Sequence, residues 1–247
     1  MVAPPPSLFA VLLGVVGAVA GSFVALVAIR LPAGRPIALA RSACAACGAV
    51  LGPGELIPLI SFAVQRGQCR RCGAAISWRD PAVEAAAVAI GVVAALAVAD
   101  PRMAAAVAVL GWALLLLALL DADHFWLPSA VTLPLVIAGL AVAAWLAPAD
   151  LADRAIGAVA GYLCLAGVAA AYKAVRGRVG LGGGDAKLFA ASGAWLGWAA
   201  LPVVLLAAAL SGIVVALLLW RRGITATTRL PFGVFLAAAT WVVAVAG

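Results

Sequence analysis

Apolar segments of about 20 residues recur along most of this chain, and they constrain its fold more than any other feature. A helix of that length is long enough to cross the hydrocarbon core of a bilayer. The 247 residues are 67% hydrophobic and 10% charged, whereas soluble domains contain about 25% charged residues. The sequence therefore predicts an all-α polytopic membrane protein.

The apolar pattern predicts eight transmembrane helices. Their predicted ranges are 8–29, 81–99, 103–120, 128–147, 155–175, 186–199, 201–220 and 231–246. The sixth range is the shortest, and only the turn around Pro202 separates it from the seventh. Three parts of the chain follow from this pattern: a first transmembrane helix in 1–29, a cytoplasmic segment in 30–80 and a helical bundle in 81–247.

Basic residues indicate the orientation of these helices. Fourteen of the 16 lysines and arginines lie in segments that the predicted helices place on one side, namely 30–80, 121–127, 173–187 and 221–230. Arg102 and Arg154 remain on the other side. Because basic residues are enriched in cytoplasmic loops, we expect the four segments in the cytoplasm and both termini outside. These charges suit contact with anionic lipids. No soluble face of basic and aromatic residues suggests a nucleic-acid partner.

The segment 30–80 is the one long polar stretch, and it contains two CxxC motifs. Cys44 and Cys47 form the first motif, and Cys69 and Cys72 form the second after 21 intervening residues. Two such pairs are typical of a structural zinc site with four thiolate ligands. Two disulfides or four free thiols are the alternatives, although a reducing cytoplasm argues against disulfides. We expect a small zinc-ribbon-like insertion between the first two helices.

Acidic residues at the ends of two predicted helices raise the question of catalysis. Asp121 and Asp123 occur in LLDADHFWLPSAVTLP, and Asp185 follows the glycines of GLGGGDAKL. The predicted chain crosses the membrane twice between Asp121 and Asp185, so both are expected at the same, cytoplasmic face. The sequence does not fix the lateral distance between them.

These acids also have ordinary interpretations. Asp185 could be the N-cap of the sixth helix, and Asp121 and Asp123 could be solvated loop residues. As a pair, Asp121 and Asp185 could instead serve an aspartic protease, which needs one protonated and one ionised carboxylate. Asp121 follows a helix C-terminus and Asp185 opens a helix, so the helix dipoles would place the proton on Asp121. Lys187 could support the charge of Asp185 or mark the membrane boundary, and His124 fits a solvated loop.

Six motifs in order resemble those of one family. They are GSFVALVAIRLP from Gly21, the two CxxC motifs, ISWRDPAVE from Ile76, LLDADHFWLPSAVTLP, GLGGGDAKL, and RLPFGVFLA from Arg229. Together they resemble the prepilin peptidases, the type IV prepilin leader peptidases and N-methyltransferases, which are membrane aspartic proteases with a GxGD motif. The resemblance runs from Gly21 to the last predicted helix.

The resemblance implies a function and a set of site residues. Members of the family cut the basic leader from type IV prepilins or type II secretion pseudopilins at the cytoplasmic membrane face. Many also N-methylate the new N-terminus with S-adenosylmethionine. The resemblance places the catalytic pair on Asp121 and Asp185, and the supporting residues are Gly182, Gly184 and Lys187. The four cysteines match the family's metal element, so the implied cofactors are structural zinc and S-adenosylmethionine, and the implied partners are a prepilin or pseudopilin and membrane lipids.

The chain departs from the family pattern at three positions. Ala25 stands where the family usually has Asn, and Asp80 stands where it often has Tyr. Ser129 follows Leu-Pro where an acid is common. The first two positions lie in the portion associated with methylation, so they bear on the methyltransferase activity and leave the protease expectation intact.

Two other classes of function compete with the protease. An ion- or proton-coupled transporter could use Asp121 and Asp185 as relay groups, although such acids normally lie near the bilayer midplane. A membrane scaffold could use the cysteine segment to bind a partner without catalysis. Replacing either aspartate by asparagine separates these possibilities.

Overall fold

Helices form the regular structure of this protein. A computed structural model describes residues 6–37, 41–178, 180, 182–221 and 230–247. The helices in these residues are α1 (Pro6–Arg30), α2 (Ile60–Val64), α3 (Arg79–Ala97), α4 (Pro101–His124), α5 (Ser129–Leu146), α6 (Leu151–Arg176), α7 (Gly183–Leu196), α8 (Leu201–Arg221) and α9 (Phe232–Ala246). Short 3-10 helices occupy Pro53–Leu56 and Pro148–Asp150. The predicted cytoplasmic residues Arg222 and Arg229, and the N-terminal end, lie outside the described residues.

All of these helices except α2 overlap the eight predicted ranges, and the all-α membrane fold class is confirmed. Among the described residues, six stretches are long and apolar enough to cross a membrane: Ser7–Arg30, Arg79–Ala97, Pro101–His124, Ser129–Leu146, Pro148–Arg176 and Leu201–Arg221. The last helix, α9, is a shorter apolar helix. The predicted sixth helix, α7, has 14 residues, and a helix of that length spans only about 21 Å at 1.5 Å per residue.

The chain divides into two compact units, unit 1 (Met1–Trp112) and unit 2 (Ala113–Gly247). In unit 1, α1 packs antiparallel to α3 through small residues. A Cβ atom at Gly21 would lie 2.7 Å from the Cα of Glu84, and a Cβ at Gly14 would lie 3.1 Å from a methyl of Val92. Such close backbone approach is how helices associate in a membrane, where burial of apolar surface between helices gives little advantage over lipid.

In unit 2, α7 is the central helix and contacts α5, α6, α8 and α9. Most of its residues are buried. Its polar side chains are satisfied by neighbouring helices: the Trp195 indole N–H donates to the Leu135 carbonyl at 2.9 Å, and the Ser192 and Thr240 hydroxyls bond at 2.7 Å. The short helix is therefore largely surrounded by protein, and Asp185 in its first turn is buried.

The outer faces of the long helices carry large apolar side chains. On α8, each of Val203, Leu206, Leu210 and Ile213 is more than half exposed. Exposed apolar surface of this extent is unfavourable in water and indicates contact with lipid. The exposure pattern therefore agrees with the polytopic membrane fold that the sequence predicts.

Candidate active site

Asp185 lies in the first turn of α7, at the third helical position. Its Oδ2 accepts a hydrogen bond from the Gly182 N–H at 3.1 Å, and its own N–H donates to the Gly182 carbonyl at 3.2 Å. The N-cap is therefore Gly182, and not Asp185 as the capping interpretation assumed. Because backbone N–H groups at a helix start have no partner within the helix, this bond both satisfies the turn and fixes the direction of the carboxylate.

Asp121 lies in the last turn of α4 and meets the start of a different helix. Its Oδ2 accepts a hydrogen bond from the Val234 N–H at 3.2 Å, and Val234 is in the first turn of α9. Asp121 is 5% exposed and Asp185 is 8% exposed. Leu127 contacts the start of α7 at Gly184 and, like Asp121, the start of α9 at Gly233, so the two carboxylates lie at one site. The structure thus brings together the two acids whose lateral distance the sequence left open.

Both carboxylates face a helix N-terminus, which differs from the expected arrangement. The sequence placed Asp121 only at the C-terminal end of its own helix, where a negative charge is disfavoured. Its contact with α9 supplies an N-terminal N–H group, which favours a carboxylate. The difference in helix dipoles was the reason for placing the shared proton on Asp121, and the structure removes that difference. The location of the proton stays a prediction.

Leu127 contacts the first turn of α7, which carries Asp185, and the first turn of α9, which donates a hydrogen bond to Asp121. A Cβ atom at Gly184 would lie 2.6 Å from the Leu127 Cβ, and one at Gly233 would lie 2.9 Å from the Leu127 Cδ1 and 2.8 Å from Asp121 Oδ2. Real Cβ atoms essentially never come so close to another heavy atom. Glycine at 184 and 233 therefore allows α7 and α9 to begin directly against Leu127 and, for α9, against the carboxylate.

The other polar residues near this site take separate positions. The Lys187 ammonium donates to the Ser129 hydroxyl at 2.6 Å, so it connects α7 to the first residue of α5. Asp123 and His124 are exposed at the end of α4. Their exposure agrees with the interpretation that leaves both residues out of the candidate pair.

Three residues of this site were missed in the sequence: Leu127, Gly233 and Val234. The motif RLPFGVFLA was noticed for its resemblance, and its Pro231 and Gly233 mark a helix start with room for close contact. No pattern in the sequence indicates that this start meets Asp121, because the two are 113 positions apart.

The four predicted metal ligands form one cluster in unit 1. The Sγ atoms of Cys44, Cys47, Cys69 and Cys72 lie within 4.8 Å of one another. The Cys44 and Cys72 sulfurs are 3.9 Å apart, and tetrahedral zinc with bonds of about 2.3 Å would separate two sulfurs by about 3.8 Å. All four are free thiols and not disulfides. The donor set therefore fits zinc in both chemistry and spacing.

The two CxxC motifs form matching turns. The Gly48 N–H donates to the Cys44 carbonyl, and the Gly73 N–H donates to the Cys69 carbonyl, each at 2.9 Å. Gly48 has φ of 69° and Gly73 has φ of 70°, in the left-handed region that glycine adopts without strain. The two motifs therefore have the same turn, and their four sulfurs meet in one cluster.

The thiols of the cluster differ in acidity. Backbone hydrogen bonds from Cys47 and Ala46 lower the pKa of Cys44 to about 6. A hydrogen bond from the Ala74 backbone lowers the pKa of Cys72, but the neighbouring Cys47 and burial raise it. The net effect raises the pKa of Cys72 to about 11. One thiol thus ionises readily while another resists, as expected for sulfurs that repel one another as thiolates.

Two family models match the chain on either side of residue 100. The model described as the bacterial peptidase A24 N-terminal domain matches residues 15–98. The model described as the type IV leader peptidase family matches residues 108–217, which include Asp121 and Asp185.

Similar curated proteins carry the name prepilin leader peptidase/N-methyltransferase. That of Burkholderia pseudomallei is 45% identical over 210 residues, covering 84% of this chain and 68% of the relative. That of Pseudomonas aeruginosa is 40% identical over 207 residues, 83% of this chain and 71% of the relative. That of Pseudomonas putida is 36% identical over 260 residues, covering 96% of this chain and 90% of the relative. No solved structure matches significantly. The chain belongs to the type IV leader peptidase family.

We expect Gly184→Ala to destabilise the protein and Gly183→Ala to be tolerated. The added methyl group at 184 would overlap Leu127, whereas one at 183 meets no atom within 4 Å. Overpacking of this kind costs about 1–3 kcal/mol, which lowers an unfolding midpoint by about 3 °C per kcal/mol. Thermal unfolding of both variants in the same detergent measures the difference. Equal midpoints would show that α7 does not begin against Leu127.

Proposed function

We propose that this chain is a membrane aspartic endopeptidase that removes the leader peptide from a prepilin or pseudopilin, and that it also N-methylates the new N-terminus. One observation carries the peptidase part: Asp121 and Asp185 lie together, buried, each bonded to the start of a helix. The names of the relatives support both activities.

The proposed chemistry uses the two carboxylates as one unit. With one proton shared between them, one carboxylate takes a proton from water while the other polarises the scissile carbonyl. The water oxygen then bonds to the carbonyl carbon as the carbonyl π bond opens, and the carbonyl oxygen takes the shared proton. When the C–N bond breaks, the leaving amine takes the proton that came from the water, and the re-forming carbonyl returns a proton to the carboxylate pair. The Gly182 and Val234 N–H groups hold one oxygen of Asp185 and of Asp121, respectively. Each carboxylate therefore keeps its second oxygen for water or substrate.

The proposed setting is the cytoplasmic face of the inner membrane. The family and the apolar helices agree with a multi-pass inner-membrane protein. We place the basic segments and both aspartates at the cytoplasmic face and both termini outside, on the basis of the charge bias. In this arrangement, 30–80 is the metal-binding segment and 81–247 contains the protease bundle. The apolar helix of the substrate would stay in the bilayer with its cleavage site at the interface.

The transporter alternative has little support. Asp121 is in the last turn of α4 and Asp185 is in the first turn of α7, whereas the ion sites of transporters normally lie near the bilayer midplane. The relatives are named as peptidases and methyltransferases. The position of the acids at helix ends therefore favours the endopeptidase.

Asp121→Asn and Asp185→Asn should each abolish leader removal, because an amide neither accepts the proton of the water nor shares one with its partner. General acid–base catalysis contributes about 10²–10⁴-fold, so we expect a loss of at least that size. Processing of a co-expressed prepilin, seen as a mobility shift, measures it. Asp123→Asn is the matched control, since Asp123 is exposed and only two residues away. If both variants process prepilin at normal protein levels, the proposed dyad is wrong.

Val234→Pro should move the whole pH–activity profile of cleavage to higher pH, by about one unit. Proline removes the N–H that donates to Asp121, and a carboxylate that loses a donor holds its proton more tightly. Proline is tolerated in the first turn of a helix, and the preceding Gly233 lacks the Cβ atom that would clash with its ring. Val234→Ala keeps the N–H and is the control. Identical profiles for the two variants would contradict a role for this hydrogen bond.

We also propose that the four cysteines bind one structural zinc ion. Four thiolates favour zinc over harder cations, and four protein ligands leave no position for substrate. When bound, the ion would neutralise thiolates that otherwise repel one another and would hold the two CxxC turns together. The ion takes no part in peptide hydrolysis in this proposal.

Purified protein should therefore contain about one zinc per chain, and Cys44→Ser or Cys72→Ser should remove most of it, because loss of one thiolate opens a tetrahedral site. Elemental analysis after desalting measures the content. Cys164→Ser is the control, since Cys164 is exposed on α6 outside the cluster. Wild-type protein without zinc, or an unchanged content in both cluster variants, would refute the assignment.

A further inference from the structure

Two exposed aromatic residues follow the last residue of α4, close to the candidate dyad. Phe125 is 55% exposed and Trp126 is 41% exposed, whereas Leu127, the next residue, is 8% exposed. The proposed cleavage chemistry gives neither aromatic residue a role. The packing of the protein thus leaves two large apolar side chains uncovered at this position, and we call them the aromatic pair.

The geometry of the chain holds the aromatic pair at the site. The Phe125 N–H donates to the Asp121 carbonyl at 2.9 Å. Leu127 returns to the site, where it contacts the starts of α7 and α9 at Gly184 and Gly233. Since consecutive Cα atoms are about 3.8 Å apart, the backbone of both aromatic residues lies within about 8 Å of Leu127. The aromatic pair therefore lies at the edge of the site that contains the two aspartates.

The backbone of Phe125 is strained. Its φ is 51°, and in the described part of unit 2 no other residue except glycine has φ in the left-handed region. The Cβ atom of an L-residue disfavours that conformation, and helices that end in it usually place glycine there. The helices α6 and α7 follow this rule, because they end at Gly177 and Gly197 with φ of 65° and 85°. A phenylalanine in such a position indicates that its side chain serves a function.

Anchoring in the membrane interface does not explain this strain. Exposed aromatic residues are common at membrane interfaces, and Trp145, 74% exposed near the end of α5, fits that role within a regular helix. An interface anchor needs no left-handed backbone. The conformation of Phe125 instead fixes the direction of one ring beside the dyad, as a contact with a bound molecule requires.

We infer that the aromatic pair, Phe125 and Trp126, binds the apolar segment of the substrate that follows the scissile bond. The inference rests on the proposed endopeptidase function and names the part of the substrate that this surface contacts. A prepilin or pseudopilin has a basic leader on one side of the bond and an apolar helix on the other. Two uncharged rings match the apolar side, because burial of apolar surface between them and the helix is favourable.

This contact determines which bond reaches the dyad. The apolar segment of the substrate is uniform in chemistry, whereas the change from basic to apolar residues occurs only once along it. When the first apolar residues lie on the aromatic pair, the bond that precedes them lies beside Asp121 and Asp185. Phe125 and Trp126 are therefore specificity residues, and they take no part in proton transfer.

Steady-state cleavage of purified prepilin by the purified full-length protein, in one detergent, tests the inference. Phe125→Ala and Trp126→Ala should each raise KM by about tenfold and change kcat less than twofold, because the contact is present in both the bound substrate and the transition state. Phe125→Leu and Trp126→Leu should retain most of the binding, since an apolar contact needs no ring. Trp145→Ala is the control. Detergent removes the bilayer interface, so loss of an interface anchor would leave KM unchanged.

Phe125→Gly separates substrate binding from a role in the fold. Glycine relieves the left-handed strain, so the unfolding midpoint should rise by about 3 °C. The same variant should raise KM as much as Phe125→Ala does. A residue that serves only the fold would lose stability and activity together, so a lower midpoint for Phe125→Gly overturns the assignment of Phe125.

The remaining outcomes also overturn the inference, and they do so in different ways. If wild-type protein cleaves prepilin and both alanine variants keep its KM, the contact is wrong and the proposed peptidase stands. If the leucine variants lose as much as the alanine variants, the rings hold a cation of the leader by a cation–π interaction, and the apolar assignment is wrong. If wild-type protein does not cleave prepilin, the proposed peptidase and the contact fail together.

Discussion

Backbone contact between α6 and α7 is the interaction on which unit 2 depends. A Cβ atom at Gly157 would lie 2.7 Å from the Gly193 carbonyl oxygen, and one at Gly161 would lie 2.5 Å from that of Phe189. In a membrane, dispersion contact between close backbones replaces the hydrophobic effect as the source of helix association. A helix of 14 residues is too short to gain from lipid along its length, so it is held by neighbours. Its first turn, which carries Asp185, is fixed by this packing and by the contact of Gly184 with Leu127.

Two buried carboxylates side by side repel each other, and the protein offsets that repulsion with backbone N–H groups. Each acid takes one donor from a helix start, Asp185 from Gly182 and Asp121 from Val234. A backbone donor at a helix start costs the fold little, because no carbonyl within the helix uses it. The same arrangement limits side-chain freedom, so both carboxylates are oriented before any substrate binds. Charge stabilisation and orientation thus come from the same two contacts.

The sequence could predict what depends on apolar length, charge count and local spacing. The eight helices, the shared face of Asp121 and Asp185, and the four-cysteine cluster all follow from such patterns. Lateral packing could not be predicted, because in a membrane helix the face toward lipid and the face toward protein are both apolar. The contact of α9 with Asp121, and the place of Gly233 beside it, depend on that packing. For the same reason, the electrostatic surroundings of Asp121 could be predicted only from its own helix, α4.

The cysteine cluster and a cavity of about 290 Å³ in unit 1 are built from the same stretch of chain. Ser42 and Ala43 precede the first CxxC motif and line the cavity, and Ile76 follows the second motif and lines it from the other side. A metal ion that joins the two motifs would therefore fix the spacing of two cavity walls that share little regular structure. The carboxylate pair of unit 2 is held differently, by helix packing and by the two backbone N–H donors of Gly182 and Val234.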